Sequence, residues 1–263
     1  MNQRFLSWSG FSFAVLLLLL PFASTRSVAE DNWQQAMTFL ASFDGPSADA
    51  DHAAGDGKIY TLVKDGDAPS KQGLHVDGKT VLISDQGLGG SGALRFDKRD
   101  APWLFYKAED NVPYSEKDWS GTVSVWLRLD GADLDPGFND PIQLTTRAWN
   151  DGAMFVDFDK EGSPRDFRLG VYADLAVWNP DNKEVPDEQR PLLKVANPPF
   201  SRESWTHVAF TWEKFNSGDK SSVATFYLNG KRQGSIDGWN QTFTWKADEE
   251  KRLYIGLNYQ GLM

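Results

Sequence analysis

The sequence predicts an all-β protein, built as a sandwich of two antiparallel sheets. Short apolar runs that alternate with polar residues recur along most of the chain, and helical periodicity is nearly absent. Clusters of Gly, Pro, Asp and Asn separate these runs, as at Asp135-Pro136-Gly137. Many short strands with this punctuation are typical of a sandwich, whereas a parallel sheet would need helices between its strands.

The first 29 residues are predicted to form a secretory signal peptide. Arg4 supplies a positive charge, an apolar run follows over residues 11–23, and Ser27-Val28-Ala29 places small residues before a cleavage site at Glu30. The run is shorter than the roughly 20 apolar residues of a membrane-spanning helix. We therefore expect an exported protein without a membrane span, found in the periplasm, at the cell surface or outside the cell.

The predicted mature chain, residues 30–263, is strongly acidic. Removal of Arg4 and Arg26 leaves 25 basic against 37 acidic residues, a net charge of −12. Such a surface repels phosphate backbones and anionic lipids, which argues against nucleic acid or a membrane surface as partners. The chain has no cysteine, which favours a bacterial origin because exported eukaryotic domains often carry disulfides. Its length suits one large sandwich domain.

The strands are predicted from the apolar runs, taken in order along the chain. The predicted strands are residues 37–43, 58–63, 93–96, 103–106, 122–129, 142–145, 154–158, 167–173, 192–195, 205–212, 222–228, 231–236 and 253–258. Alternation in these strands predicts a shared core that includes Val123, Val125, Leu127, Leu169, Val208, Phe210, Phe226 and Ile255.

Residues 204–236 give the clearest local signal. Thr206, Val208 and Phe210 alternate with polar neighbours on a first strand, and residues 222–228 form a second. Asn229-Gly230 follows, and this dipeptide supplies the positive φ angles of a type I′ turn. The pattern predicts a β-hairpin preceded by a neighbouring strand.

Five segments resemble the laminin G-like domains of the concanavalin A-like lectin/glucanase family. The segments are ASFDG at 41–45, SGALRF at 91–96, GTVSVWLR at 121–128, the W-x-H-V-A strand with its Y-x-N-G-K hairpin at 205–231, and LYIGLNYQG at 253–261. The resemblance covers nearly all of residues 30–263 and implies a jelly-roll sandwich. In that family a closing strand follows an Asp-rich turn, so we expect a fragment that lacks the closing C-terminal strand.

Asp157, Asp159 and Glu161 are the strongest catalytic candidates. Laminarinase-type glycosidases of the same fold carry three acids at this spacing, and alternation puts the three on one side of a strand. Asp157 is one methylene shorter than the acid of that family, however, and the Gly162-Ser163-Pro164 turn is expected to place Glu161 beyond the strand. We therefore expect solvated acids and no hydrolysis, with a glycoside hydrolase as the alternative.

Acidic loops supply candidate ligands for a calcium ion. Ca²⁺ prefers six to eight oxygen ligands gathered from loops, and the family resemblance implies one such ion at the rim of the sandwich. Solvated loops without an ion are the alternative. The candidate ligands are Asp44, Asp49, Asp51, Asn139 and Asp140.

The chain is rich in aromatic residues, with 11 Trp, 17 Phe and 7 Tyr. Trp126, Trp205 and Trp212 lie within regular strands and are expected in the core. Other tryptophans lie in or beside predicted loops, where a ring could stack on a sugar. These candidate ligand-binding residues are Trp149, Trp178, Trp239 and Trp245.

Together these features predict a non-catalytic recognition module, exported by a bacterium, that binds a glycan or a cell-surface protein. A glycoside hydrolase on the same fold is one alternative. A structural accessory domain of a larger protein is another, since this architecture serves several functions.

Overall fold

A computed structural model of the chain describes residues 35–62, 70–76, 79–99, 102–145, 147–245 and 251–263. The predicted signal peptide, residues 1–29, lies outside this part. Helix makes up 7% of the chain, and antiparallel strands dominate, which confirms the all-β prediction. Among the described residues the helical elements include a short helix, α1 (Leu175–Trp178), and 3-10 turns at Leu88–Gly90, Gly131–Asp133 and Asp187–Gln189.

Eight antiparallel strands of the described residues form the larger sheet. They are β3 (Ile59–Leu62), β4 (Lys71–Gln72), β7 (Trp103–Lys107), β9 (Asn139–Thr145), β10 (Ala153–Gly162), β11 (Arg165–Tyr172), β12 (Leu192–Val195) and β16 (Arg252–Leu257). Their order across the sheet is β12-β11-β10-β9-β16-β7-β3-β4. The C-terminal β16 therefore lies between strands that are distant from it in the sequence.

The second layer consists of two smaller sheets joined by a single bridge. Its strands are β5 (Thr80–Ile83), β6 (Ala93–Phe96), β8 (Trp119–Leu127), β13 (Thr206–Phe215), β14 (Val223–Leu228), β15 (Lys231–Ile236) and β17 (Gly261–Leu262). The orders are β15-β14-β13-β8 and β17-β6-β5. Arg128, which follows β8, and Leu262 of β17 exchange two backbone hydrogen bonds of 2.9 Å. These bonds connect the two smaller sheets.

The predicted core is confirmed between the two layers. Leu127, Leu169, Val208, Phe210, Phe226 and Ile255 are buried in one cluster, and the half-buried Val123 and Val125 pack against it. Phe167 of β11 contacts Phe226 of β14 with ring centroids 5.8 Å apart, so the layers meet directly. Trp126 is 40% exposed, which corrects its assignment to the core. It lies on the outer face of β8 because its neighbours Val125 and Leu127 take the inner face.

The strand boundaries differ from the sequence prediction mainly at the two ends of the domain. The predicted strand 37–43 shortens to β1 (Phe39–Leu40), which pairs with β2 (His52–Ala53). Phe43 has a φ of 62°, which ends extended structure before it. The strands β2, β4, β5 and β17 were not predicted, since three of them have only two residues.

Gly121 of β8 faces Trp212 of β13, and a Cβ atom built on it would lie 2.3 Å from the indole ring. We expect Gly121→Ala to lower the free energy of unfolding by about 1–3 kcal/mol, because the added methyl must displace a core ring. Urea unfolding would measure this. Gly131→Ala is the matched control, because a Cβ there has open space and its φ is not positive. Equal stability of the two variants would contradict the packing described.

Candidate functional site

A cleft of about 700 Å³ lies on the outer face of the larger sheet, away from the sandwich core. Successive side chains of β10 point to opposite faces of the sheet. Val156 and Phe158 therefore lie in the core, whereas Asp157 between them lines the cleft. Strands β9, β11, β12 and β16 contribute to the same floor, together with loops at both ends of β9. The sheet is therefore buried on one face and concave on the other.

An aromatic floor runs across the middle of the cleft. Phe155 of β10 is paired with Gln143 of β9 on one side and with Gly170 of β11 on the other. A Cβ on Gly170 would lie 2.2 Å from the Phe155 ring, so only glycine lets this ring lie across β11. The Tyr172 ring stacks on Phe155 with centroids 5.8 Å apart and an angle of 11°.

Asp157 and Arg168 form a buried ion pair beside this floor. Arg168 donates two hydrogen bonds to the carboxylate, one of them from Nε to Oδ1 at 2.8 Å, and the two side chains are only 3% and 7% exposed. Burial raises the pKa of Asp157, and Arg168 opposes that rise. Burial alone would lower the pKa of Arg168, but the hydrogen bonds to Asp157 and the neighbouring acids raise it. Two hydrogen bonds from one guanidinium to both carboxylate oxygens are the geometry of a charged pair.

A network of partly buried ion pairs extends from Arg168 to the rim of the cleft. Arg168 Nη1 lies 3.4 Å from Asp159 and 3.8 Å from Asp187. Lys194 Nζ lies 2.7 Å from Asp187, and Arg190 Nη1 lies 2.9 Å from the same carboxylate. Burial would raise the pKa of Asp187, but Lys194 and the two arginines lower it. This network ties the 3-10 turn Asp187–Gln189 to the sheet.

Asp140 is the exception among the acids of the cleft. Its carboxyl group has no hydrogen bond or ion pair within the described residues, although it lines the cleft near Asp157. Burial, and then the charge of Asp157, raise the pKa of Asp140 well above its usual range. The register of β9 and β10 shifts between Val156 and Phe158, beside Asp140. Such irregularities change the direction in which a side chain points.

Two exposed aromatic rings stand at the rim. Phe138 precedes β9 and is 40% exposed, with the Arg168 guanidinium 4.7 Å from its ring centre. Trp149 follows β9 and is 45% exposed, with the Arg190 guanidinium 5.7 Å from its ring centre. A second pocket of about 260 Å³ lies beside Trp149 and is lined in part by Trp178.

The four tryptophans predicted as ligand-binding residues divide into two pairs. Trp149 and Trp178 lie at the cleft and its side pocket, and Trp178 Nε1 donates to the carbonyl of Asn150 at 2.8 Å. Trp239 packs against the core, and Trp245 is only 3% exposed. Trp245 lies in a cluster of aromatic rings around Trp119, which removes it from the solvent.

The acids predicted as catalytic candidates do share one face, and all three line the cleft. Two details of the prediction need correction. Glu161 lies inside β10, because that strand continues to Gly162, which pairs with Arg165. Asp157 is not a solvated acid, because Arg168 holds both of its oxygens. Glu161 alone is largely exposed, at 80% of its side chain.

The predicted calcium ligands at the N-terminal loops have other partners. Asp44 accepts a hydrogen bond from the Gly92 amide at 2.6 Å, and Asp51 accepts one from the Ser42 amide at 2.6 Å. Asp49 accepts from the Ile59 amide and from Lys58 Nζ. No three acidic or histidine side chains of the described residues are grouped so that they could hold a metal ion. These carboxylates fix loops to the sandwich.

The second predicted calcium loop, before β9, already contains a cation. The Arg165 guanidinium, buried in the loop, donates to the backbone carbonyls of Leu134, Asp135, Gly137 and Asp159 at 2.7–3.3 Å. The Asn139 side-chain amide also donates to the carbonyl of Gly137, at 2.8 Å. Four carbonyl oxygens of this loop therefore accept from an arginine, whereas the Asn139 side-chain oxygen and the Asp140 carboxyl group have no hydrogen-bond partner within the described residues.

The comparison with protein families agrees with this architecture. A family model for the concanavalin A-like lectin/glucanases superfamily matches residues 107–262, which is more than half of the chain. Among solved structures, the chain is similar to an endo-β-1,4-glucuronan lyase from the fungus Trichoderma reesei. That likeness has a TM-score of 0.41 and 12% sequence identity, and it covers 75% of this chain and 82% of that chain. Comparison with curated proteins finds no match.

Asp157→Asn should destabilise the protein by about 3–5 kcal/mol, because Arg168 would remain buried without its charge partner. Asp159→Asn is the control, since Asp159 lies farther from Arg168 and is more exposed. The double variant Asp157→Leu with Arg168→Met should lose less of the free energy of unfolding than Asp157→Asn alone, because it leaves no buried charge unpaired. Urea unfolding of the four proteins measures these differences. A double variant less stable than Asp157→Asn would contradict the expectation.

Arg165→Ala should lower the free energy of unfolding by more than the roughly 1.5–3 kcal/mol of one charged hydrogen bond, because the guanidinium donates to four carbonyls, two of which, Leu134 and Asp159, have no hydrogen bond from Asn139. Arg202→Ala is the control, since its pair with Asp133 is exposed and such pairs contribute at most about 1 kcal/mol.

Addition of a chelator should leave the melting temperature of the unchanged protein where it was. A fall in that temperature on chelation would show a metal site that these loops do not account for.

Proposed function

Because the chain belongs to the concanavalin A-like lectin/glucanase superfamily, we propose that it is a non-catalytic recognition module that binds a neutral glycan in the cleft of the larger sheet. The observation that carries this proposal is the make-up of the cleft. An aromatic floor and two exposed aromatic rings surround charged groups that, apart from Asp140, have ion-pair partners within the described residues.

The aromatic surfaces suit the faces of sugar rings. Phe138 and Trp149 present exposed rings at the rim, and Phe155 and Tyr172 form a flat apolar floor. Sugar rings have apolar C–H faces and polar edges, so they match a site that combines aromatic surfaces with a few hydrogen-bonding groups. Gln143, which is 8% exposed on the floor, supplies such a group.

The charges of the cleft favour a ligand without a net charge. Its basic residues all have acidic partners: Arg168, Arg190 and Lys160 pair with acids of the cleft itself, and Arg147 pairs with Asp174 and Asp151. A uronic acid would have to compete with these existing pairs for each arginine. A cationic ligand would likewise have to compete with existing ion pairs, since most of the acids of the cleft already have basic partners.

The pairing of Asp157 supports a role without catalysis. A nucleophilic carboxylate must be free to form a bond, and both oxygens of Asp157 accept hydrogen bonds from Arg168.

One observation favours the second candidate function, a glycoside hydrolase. The raised pKa of Asp140 is the property that a general acid needs, with Asp159 or Glu161 as the second carboxylate.

We also propose that a bacterium exports the protein. The support is the pattern of residues 1–29, with its positive start, short apolar run and small residues before Glu30. The described residues contain no helix long and apolar enough to cross a membrane. Mass spectrometry of the secreted protein should find an N-terminus at Glu30.

Binding should be visible on an array that contains neutral and uronic glycans, with retention on neutral ones. Trp149→Ala should then weaken the binding of a retained neutral glycan about tenfold in calorimetry, because an aromatic contact is lost. Trp126→Ala is the matched control, since that exposed ring lies on the outer face of the other layer. Binding of uronic glycans alone, or an equal loss in both variants, would contradict the proposed site.

Incubation with laminarin should release no reducing ends. If turnover occurs, Asp140→Asn, Asp159→Asn and Glu161→Gln identify the acids that are responsible. Turnover abolished by one of these changes would replace the recognition module with the glycoside hydrolase.

A further inference from the structure

We infer that the ligand is an extended glycan chain that contacts Phe138 and Trp149 at the same time. This inference rests on the proposed function and makes it more specific, because it names a chain of several sugar units in place of a single sugar. The two rings would act as separate stacking surfaces at the two ends of one site.

The separation of the two rings is the first support. Phe138 and Trp149 flank opposite ends of β9. On β11, Arg168 lies against Phe138, whereas Tyr172 contacts the edge of Trp149 with centroids 5.3 Å apart. Arg168 and Tyr172 are four residues apart, which corresponds to about 13 Å along a strand. One sugar ring is too short to stack on both rings.

Both rings are held in place before any ligand arrives. Arg168 lies over the Phe138 ring and is itself fixed by Asp157. Arg190 lies over the Trp149 ring and is fixed by Asp187, at 2.9 Å. A guanidinium over an aromatic face is attractive, so it restrains each ring while a large part of the residue stays exposed. A preformed surface lowers the ordering cost of binding.

A polar group without a partner lies on the path between the two rings. Asp140 is partly exposed at the cleft, and its carboxyl group has no hydrogen bond or ion pair within the described residues. Hydroxyl groups of a sugar chain that crosses the floor from Phe138 to Trp149 would supply hydrogen-bond partners for this group.

The path continues beyond Trp149. The side pocket of about 260 Å³ shares Trp149 and Arg190 with the main cleft and is also lined by Asn150, Trp178 and Asn182. It therefore offers a further aromatic surface and amide groups next to the main cleft. A long ligand has room on this side, whereas a single sugar would leave most of the path empty.

Two contacts on one chain strengthen each other. Once one end of a glycan is stacked, the other end meets its ring as an intramolecular event, so the overall affinity exceeds that of either contact. A glycan too short to reach both rings gains nothing from the second. Affinity should therefore depend on chain length until both rings are engaged.

Calorimetry with laminari- and cello-oligosaccharides, from the disaccharide to the hexasaccharide, tests the inference. We expect the hexasaccharide of the preferred linkage to bind at least tenfold more tightly than its disaccharide. Phe138→Ala and Trp149→Ala should each reduce this ratio to nearly one, because one of the two surfaces is gone. Trp126→Ala should preserve it. The melting temperature of each variant shows that these exposed substitutions leave the fold intact.

The outcomes separate this inference from the proposed function. Equal binding of short and long oligosaccharides would overturn the inference and leave glycan recognition in place. A ratio that survives either substitution would overturn it as well. Failure of every oligosaccharide and of every glycan on the array to bind would overturn the proposed function and the inference together.

Discussion

The ion pair between Asp157 and Arg168 is the interaction on which the cleft depends. It is buried on strands that are hydrogen-bonded to each other, and Arg168 reaches from it to Asp159, Asp187 and the ring of Phe138. Removing two charges from water is costly, so such a pair is weak evidence for stability by itself. Its effect here is geometric. One guanidinium orients an aromatic ring at the rim, fixes a carboxylate on the floor and ties a 3-10 turn to the sheet.

The same pairing limits what the site can do. Carboxylates and guanidinium groups that neutralise each other are poor partners for a charged ligand, and a carboxylate with both oxygens engaged is a poor nucleophile. What remains available is the aromatic surface at the rim and the carboxyl group of Asp140, which has no partner within the described residues. Arg165 shows the same principle at the adjacent loop, where its guanidinium takes the carbonyls that a metal ion would use.

Sequence reasoning located part of the site. Alternation alone placed Asp157, Asp159 and Glu161 on one face, and the structure keeps them there. The partner of Asp157 was not predictable in this way. Gly162 pairs with Arg165 at the turn, and that register would put Asp157 opposite Gly170, but an irregularity between Phe158 and Gly162 shifts the partner to Arg168. Phe138 was missed because a single phenylalanine after a Pro-Gly turn gives no signal of exposure.

The sequence by itself determined the sandwich class, most strand positions and the residues of the core. These follow from alternation and turn chemistry, which act over a few residues and so are visible in the chain. Only the tertiary structure decided that β16 lies beside β9 and that β17 bridges to β8, because these pairs are far apart in sequence. The same holds for the loop tryptophans. Trp149 and Trp245 look alike in the sequence, yet one stands at a cleft and the other is buried, since burial depends on which distant residues fold over each ring.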